Sequence, residues 1–390
     1  MGLDYSPVRQ KGGVVMLEGW SRSKKMGVGL CLFLLVFTLF VTLRWPDPPP
    51  LDETNLHRVP SGDGWEIALH HRPPCGGGPC DGPGLGKVVI LCHGLSGNRF
   101  TYEMGEGRSL GKYLANLGFD AWLLELRGHG VSRGPAGSHW TITDYVEEDI
   151  PAAINYVRSF SKVDQVQWVG HSMGGLVLYG YLASHPDAPI SAAVTLGSPG
   201  HMLGRVPVLD TLTSLMWLGA YLPMIPSRIP ARFSSTLTAY TPLTNLVWSE
   251  ENVSAELMQS FLRVGVEDLE RGELASFYEL YSKKRFVTPE GRDYEASYGQ
   301  IHTPIAFGAG SVDRISPPDA VRYTYDRIGS TDKVYRIFGR EQGEVAHYGH
   351  GDLVLGDRVQ VEVFPFVSDW LLKYPRTVAA GEIPDSAAPE

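Results

Sequence analysis

The chain has 390 residues, enough to bury one large core plus an insertion, and its 43% hydrophobic and 20% charged content is that of an ordinary globular protein. Its 34 basic against 43 acidic residues give a formal charge of -9, which argues against nucleic-acid binding, a role that favours a basic patch. No repeat or low-complexity block interrupts the body.

In chain order, residues 1–25 form a basic tail in which Arg9, Lys11, Arg22, Lys24 and Lys25 outweigh Asp4 and Glu18. Met26 to Leu43 then carry no formal charge over a length sufficient to span a bilayer's hydrocarbon core. Positive charge on the N-terminal flank predicts a transmembrane signal anchor over 26–44, with the N-terminus cytoplasmic and the body extracytoplasmic, whether periplasmic, lumenal or extracellular. A cleaved signal peptide is the rival reading; the long leader and the absence of small residues in Arg44-Trp45-Pro46-Asp47 count against it. Met1-Gly2 with Ser6 is too short a myristoylation match to build on. A proline-rich linker, 45–56, follows.

His57 to His71 reads as a hairpin around Ser61-Gly62-Asp63-Gly64. Cys75 and Cys80 have the spacing of a short disulfide in an oxidising compartment, whereas zinc binding lacks a second Cys or His pair. Lys87 to Cys92 is a buried-strand run, and Cys92 within it needs no chemistry. It ends in His93-Gly94-Leu95, a turn that offers the Leu95 amide to an oxyanion. A helix near Gly105 to Leu117 and a strand Ala121 to Glu125 come next, then Arg127-Gly128-His129-Gly130, whose arginine and glycines read as fixing a loop rather than binding substrate. A helix over Asp144 to Ser159 precedes the strand Val166 to Val169.

That strand runs into Gly170-His171-Ser172-Met173-Gly174-Gly175, and a helix follows over Met173 to Ser184. A serine on so sharp a strand-to-helix turn takes a strained backbone, and side chains at Gly170 or Gly174 would collide with the neighbouring chain. Ser172 is therefore the candidate nucleophile, and the Met173 amide the second oxyanion donor. After a strand at Ser191 to Leu196, residues 200–302 form a mainly helical insertion between the sixth and seventh strands. Its first half, with Leu212, Leu215, Met216, Trp217, Leu218, Tyr221, Leu222, Met224 and Ile225, is apolar enough to pack on the core or to line an acyl-chain pocket. Asn252-Val253-Ser254 has the pattern of a glycosylation acceptor if the host is eukaryotic.

The strand Pro304 to Gly310 leads to Asp313, the candidate acid, and the strand Lys333 to Phe338 leads to a loop holding His347 and His350. His350 is preferred as the general base because Gly351, Asp352 and the apolar Leu353 to Leu355 can anchor it; His347 reads as a surface or supporting residue. Pro375 to Glu390 reads as a flexible tail, numbered 376–390 beyond the core.

The Ser172, Asp313, His350 order, with the elbow and the His-Gly-Leu turn, resembles the α/β-hydrolase superfamily from about Val59 to Tyr374. Phe119 to Leu123, Asp149 to Ile154 and His93-Gly94-Leu95 resemble the acid-lipase branch, while Leu126 to Ser132 and Ser172 to Gly175 resemble monoacylglycerol lipases and bacterial esterases. The resemblance implies an α/β fold with a mostly parallel central sheet flanked by helices, its core formed by 57–199 and 303–375. It also implies a serine esterase or lipase acting on carboxylic esters, above all lipid or acylglycerol esters, and needing no metal or organic cofactor. An S33-type aminopeptidase or other acyl hydrolase is one alternative, although His93-Gly94-Leu95-Ser96 lacks the proline usual in the prolyl-aminopeptidase turn. A catalytically inactive membrane-tethered binding protein is another.

Overall fold

The computed structural model describes residues 52–201, 224–235 and 244–375, together with positions 29, 32 and 36. The chain divides into two units, Met1–Pro46 and Asp47–Glu390. In the first, Gly29, Leu32 and Val36 are helical; the rest of the expected anchor, the apolar residues 212–222 of the insertion and the tail 376–390 lie outside the described residues. Among the described residues no helix is long and apolar enough to cross a membrane.

The second unit is built on strands β1 (Leu56–Ser61), β2 (Trp65–Arg72), β3 (Val88–Cys92), β4 (Asp120–Glu125), β5 (Val166–His171), β6 (Ile190–Leu196), β9 (Ile305–Gly310) and β10 (Lys333–Phe338). The short strands β7 (Met224–Ile225) and β8 (Leu269–Glu270) pair with each other inside the insertion. The eight long strands form one sheet in the order β1-β2-β4-β3-β5-β6-β9-β10. Pairing is antiparallel from β1 to β2 and from β2 to β4, and parallel across the rest.

Residues alternate between the two faces of each strand, and the core divides accordingly. Ile90, Trp122, Leu124 and Trp168 pack with α2 (Ile150–Ser161) and α3 (Met173–Ser184) on one face. Val89, Leu91, Leu123 and Val169 pack with α1 (Leu110–Asn116) and α8 (Phe364–Leu372) on the other. With both faces covered, β3 and β5 are buried along their whole length, and their polar side chains are limited to Gln167 and His171 of β5. Each such Leu, Val or Ile contributes about 1.5–3 kcal/mol relative to exposure.

Two helices differ from their sequence-based bounds. The one expected from Gly105 begins only at Leu110, because Gly105 and Gly107 sit at φ 103 and 74 and the Ser109 side chain caps the first turn. The one expected over Asp144 to Ser159 contains a π turn at Tyr145–Asp149 and ends at Lys162, which turns left-handed at φ 53. The insertion holds α4 (Arg228–Ser234), α5 (Ala255–Val264) and α6 (Arg271–Lys283); α7 (Pro318–Arg327) links β9 to β10.

The chain passes from β3 to β4 on one side and then crosses to β5 on the other, so strand order reverses between β3 and β5. In open α/β sheets, ligands bind outside the carboxyl ends of the strands at such a reversal. Leu95 follows β3 there, and Ser172 follows β5.

Candidate active site

Ser172 has φ 52 and ψ -117, a backbone that L-residues avoid, and caps the N-terminus of α3. Two residues to either side, only glycine fits. A Cβ on Gly170 would stand 2.5 Å from the Gly174 carbonyl carbon, and one on Gly174 would overlap the Cys92 carbonyl oxygen. The turn is held by the Ser172 amide, which donates to the Leu196 carbonyl at 2.9 Å. Among the described residues, the Ser172 hydroxyl makes no hydrogen bond, so its proton is uncommitted.

Gly94 brings the other half of the site close, since a Cβ on it would lie 3.0 Å from Ser172 Cβ. Among the described residues, neither the Leu95 nor the Met173 amide donates to a protein acceptor. Two free N–H groups beside a nucleophile, one of them at a helix N-terminus carrying partial positive charge, suit a developing oxyanion.

Asp313 and His350 come together at the ends of β9 and β10. His350 Nδ1 donates to Asp313 Oδ2 at 2.8 Å, while Asp313 Oδ1 accepts from the amides of Ile315 and Ser316, each at 2.8 Å. Both side chains are buried. With Nδ1 protonated toward the carboxylate, Nε2 is left as the basic nitrogen. His347 instead contacts Ser311 Oγ at 3.1 Å and Glu341 at 3.5 Å.

Two supporting residues, His171 and Gly197, escape sequence reasoning, and a third, Asp352, serves as the loop anchor the sequence suggests. His171 is buried, and burial together with the nearby His350 ring holds its pKa down at about 3. The neutral ring donates from Nε2 to the His350 carbonyl at 3.0 Å. Gly197, at φ 57, passes so near the acid and base that a Cβ there would lie 3.2 Å from Asp313 Oδ2 and 3.3 Å from His350 Nδ1. Asp352 accepts from the amides of Gly349, at 2.9 Å, and Ser249, at 3.1 Å, tying the histidine loop to the insertion. Burial pushes its carboxyl up to about 7, with the Asp313 charge adding to the effect. The signal for His171 and Asp352 was positional: each lies within two residues of a candidate catalytic group.

Arg127 fixes a loop, as its setting in sequence suggests. Its Nε donates to Asp149 Oδ1 at 2.9 Å, and its backbone amide to Asp149 Oδ2 at 2.9 Å. Glu125 is fully buried; burial opposes its ionisation, but the His70 hydrogen bond and the charges of His70 and Arg99 hold its pKa near 2. Cys75 and Cys80 are joined in a disulfide, and Cys92 is free and buried. The glycosylation pattern at Asn252 is corrected by the fold: the residue is 1% exposed and its amide nitrogen is buried, so the folded chain does not present it.

The alpha/beta hydrolase fold family model matches residues 87–356. Lipase 3 of Drosophila melanogaster is 31% identical over 161 residues, which are 37% of this chain and 39% of that one. The human lysosomal acid lipase/cholesteryl ester hydrolase is 27% identical over 195 residues, covering 42% of this chain and 49% of its own. The chain thus spans less than half the length of these two relatives. Among solved structures, a Paleococcus ferrophilus monoacylglycerol lipase superposes with a TM-score of 0.55 at 17% identity, over 80% of this chain and 100% of that one, a likeness of fold. The sheet order, the strained Ser172 turn and the family match agree, and the chain belongs to the α/β-hydrolase fold family, with lipases and esterases among its relatives.

Proposed function

We propose that this chain is a serine hydrolase of carboxylic esters, lipid or acylglycerol esters above all, working through an acyl-enzyme and anchored to a membrane by its N-terminal segment. The observation that carries the reading is the strained Ser172, set beside two amides unpartnered among the described residues and linked through His171 to the loop where His350 meets Asp313. His350 Nε2 takes the Ser172 proton as Oγ attacks the ester carbonyl, and the Leu95 and Met173 amides hold the oxyanion. Collapse of the tetrahedral adduct breaks the bond to the alcohol, which leaves with the proton from His350. The same ring then deprotonates water, whose attack on the acyl-enzyme releases the acid and restores Ser172. The lipases and the cholesteryl ester hydrolase among its relatives support an ester substrate.

The anchor is supported by the uncharged run Met26 to Leu43 behind a basic tail. The Cys75–Cys80 disulfide supports a catalytic unit outside the reducing cytoplasm. Residues 200–302 act as a cap over the serine, and deletion of 202–226 from a protein that still folds alters acyl-length preference.

The test is hydrolysis of graded p-nitrophenyl and monoacylglycerol esters by the full chain in detergent, beside Ser172→Ala and an aminoacyl-amide panel, with fluorophosphonate labelling of each. Ester turnover and labelling that vanish in Ser172→Ala support the reading. Serine-dependent cleavage of amides alone makes the chain a peptidase, and no turnover with no labelling makes it a binding protein. An N-terminal tag followed into the membrane fraction tests the anchor; a soluble, tag-free mature chain removes it.

A further inference from the structure

The loop that carries the Leu95 amide is gripped from two directions by groups that the acyl-transfer steps do not use. From the insertion, the Glu267 amide donates to the Ser96 carbonyl at 2.8 Å, Ser96 Oγ donates to the Glu267 carbonyl at 2.5 Å, and Asn98 Nδ2 donates to Glu267 Oε1 at 2.7 Å. Arg228 pairs with the same carboxylate. From the core, His129 Nδ1 lies 2.8 Å from the Gly97 carbonyl oxygen, and its Nε2 lies 2.9 Å from Glu273 Oε1 on α6. His129 and Glu273 are both buried.

A carbonyl oxygen only accepts, and so does an ionised carboxylate. An imidazole that satisfies both must carry a proton on each nitrogen. The other groups facing the ring fit that charge. Tyr145 Oη is 3.2 Å from Nε2, and burial keeps this phenol protonated. The His93 ring, 4.6 Å away, is held neutral by burial, its pKa down at about 3. Glu125, at the end of β4, is ionised and adds favourable negative charge.

We propose that His129 is a positioning residue: as an imidazolium bridging Gly97 and Glu273, it makes the geometry of the oxyanion loop depend on the seating of α6. The proposal rests on the ester-hydrolase reading. A neutral ring keeps one N–H and must release either the Gly97 carbonyl or Glu273, whose carboxylate then keeps only the Glu270 amide, at 3.2 Å, and the Tyr145 hydroxyl. Burial works to depress the imidazolium, but Glu273, the Gly97 carbonyl and the Glu125 charge together outweigh it, so the ring titrates above an ordinary histidine. The clamp therefore holds to higher pH than an ordinary histidine would allow and opens as pH rises.

The experiment has two arms, both on the full chain in detergent. In the first, histidine nitrogens are labelled with 15N and the His129 signal is identified by its loss in His129→Gln. A ring protonated on both nitrogens at pH 7 is expected, and a neutral tautomer there overturns the proposal. This readout needs no substrate, so its failure is distinct from a failure of the ester-hydrolase reading. In the second, Glu273→Gln is expected to lower kcat about tenfold with KM little changed, as a small misplacement of a catalytic group does. It should weaken a boronic-acid inhibitor of the oxyanion site by the same factor and move the alkaline limb of kcat to lower pH. An unmoved alkaline limb, or an effect confined to KM, overturns the proposal. If Glu273→Gln does not fold, the wild-type nitrogen titration decides alone.

Discussion

His171 donates its one ring proton to the backbone of His350 at 3.0 Å, so the residue just before the nucleophile holds the residue expected to serve as its base. His171→Phe fills the same volume but leaves the His350 carbonyl without its donor, which costs about 1 kcal/mol of stability and loosens the loop. The expected loss in kcat is about tenfold, from a misplaced base. Fluorophosphonate labelling of Ser172 should slow without disappearing, and wild-type labelling kinetics would remove His171 from any positioning role.

Asp313→Asn keeps an oxygen for the amides of Ile315 and Ser316 but turns an NH2 group toward His350 Nδ1. The imidazole is then driven to the other tautomer, with Nε2 protonated and no longer basic. In a Ser-His-Asp arrangement this substitution lowers kcat by about 10⁴. Ester turnover by the variant at neutral pH is the measurement, and a loss under tenfold would show that another group orients His350.

Asp352 links stability to pH. Its folded pKa of about 7 stands above the ordinary 3.8, so the folded state binds the proton more tightly than the unfolded chain does. The stabilisation is complete below pH 4 and is lost as pH rises through 7, by at most about 4 kcal/mol at about 1.4 kcal/mol per unit. Urea unfolding at pH 5 and pH 8 should show the decline in the wild type and a flatter profile in Asp352→Asn. Parallel profiles would mean that Asp352 is ionised in the fold.

Gly174→Ala sets a methyl group against the Cys92 carbonyl, where backbone lies on both sides and neither can yield. The expected destabilisation is about 3 kcal/mol. Thermal unfolding measures it, and the labelling rate of Ser172 reports whether the turn keeps its shape. A variant that melts with the wild type would show that α3 can shift away from β3.

Local features were legible and long-range ones were not. β10 matches its expected span, Lys333 to Phe338, because a stretch rich in Val334, Tyr335, Ile337 and Phe338 is bounded by Ser330 to Asp332 and by Gly339. The Ser172 turn is legible because the glycines it requires lie two residues to either side of the serine. Arg127 was correctly read as structural, but its partner Asp149 lies 22 residues on, inside a π turn that no periodicity announces. The pairs that join the insertion to the site span more: Asn98 to Glu267 covers 169 residues, and His129 to Glu273 covers 144. Whether such polar groups meet is decided by the packing of the whole insertion.

β6 and β9 are direct neighbours, with Ala193 opposite Ile305 and Leu196 opposite Gly308, so more than a hundred residues depart from the sheet and return beside their point of departure. Because closing a longer loop costs little more than closing a shorter one, this junction tolerates segments of other lengths without disturbing strand register. The insertion is therefore exchangeable in a way that the sheet is not. A graft that retains 264–273 should change which ester is accepted, whereas one that replaces those residues should also change how fast any ester is cut.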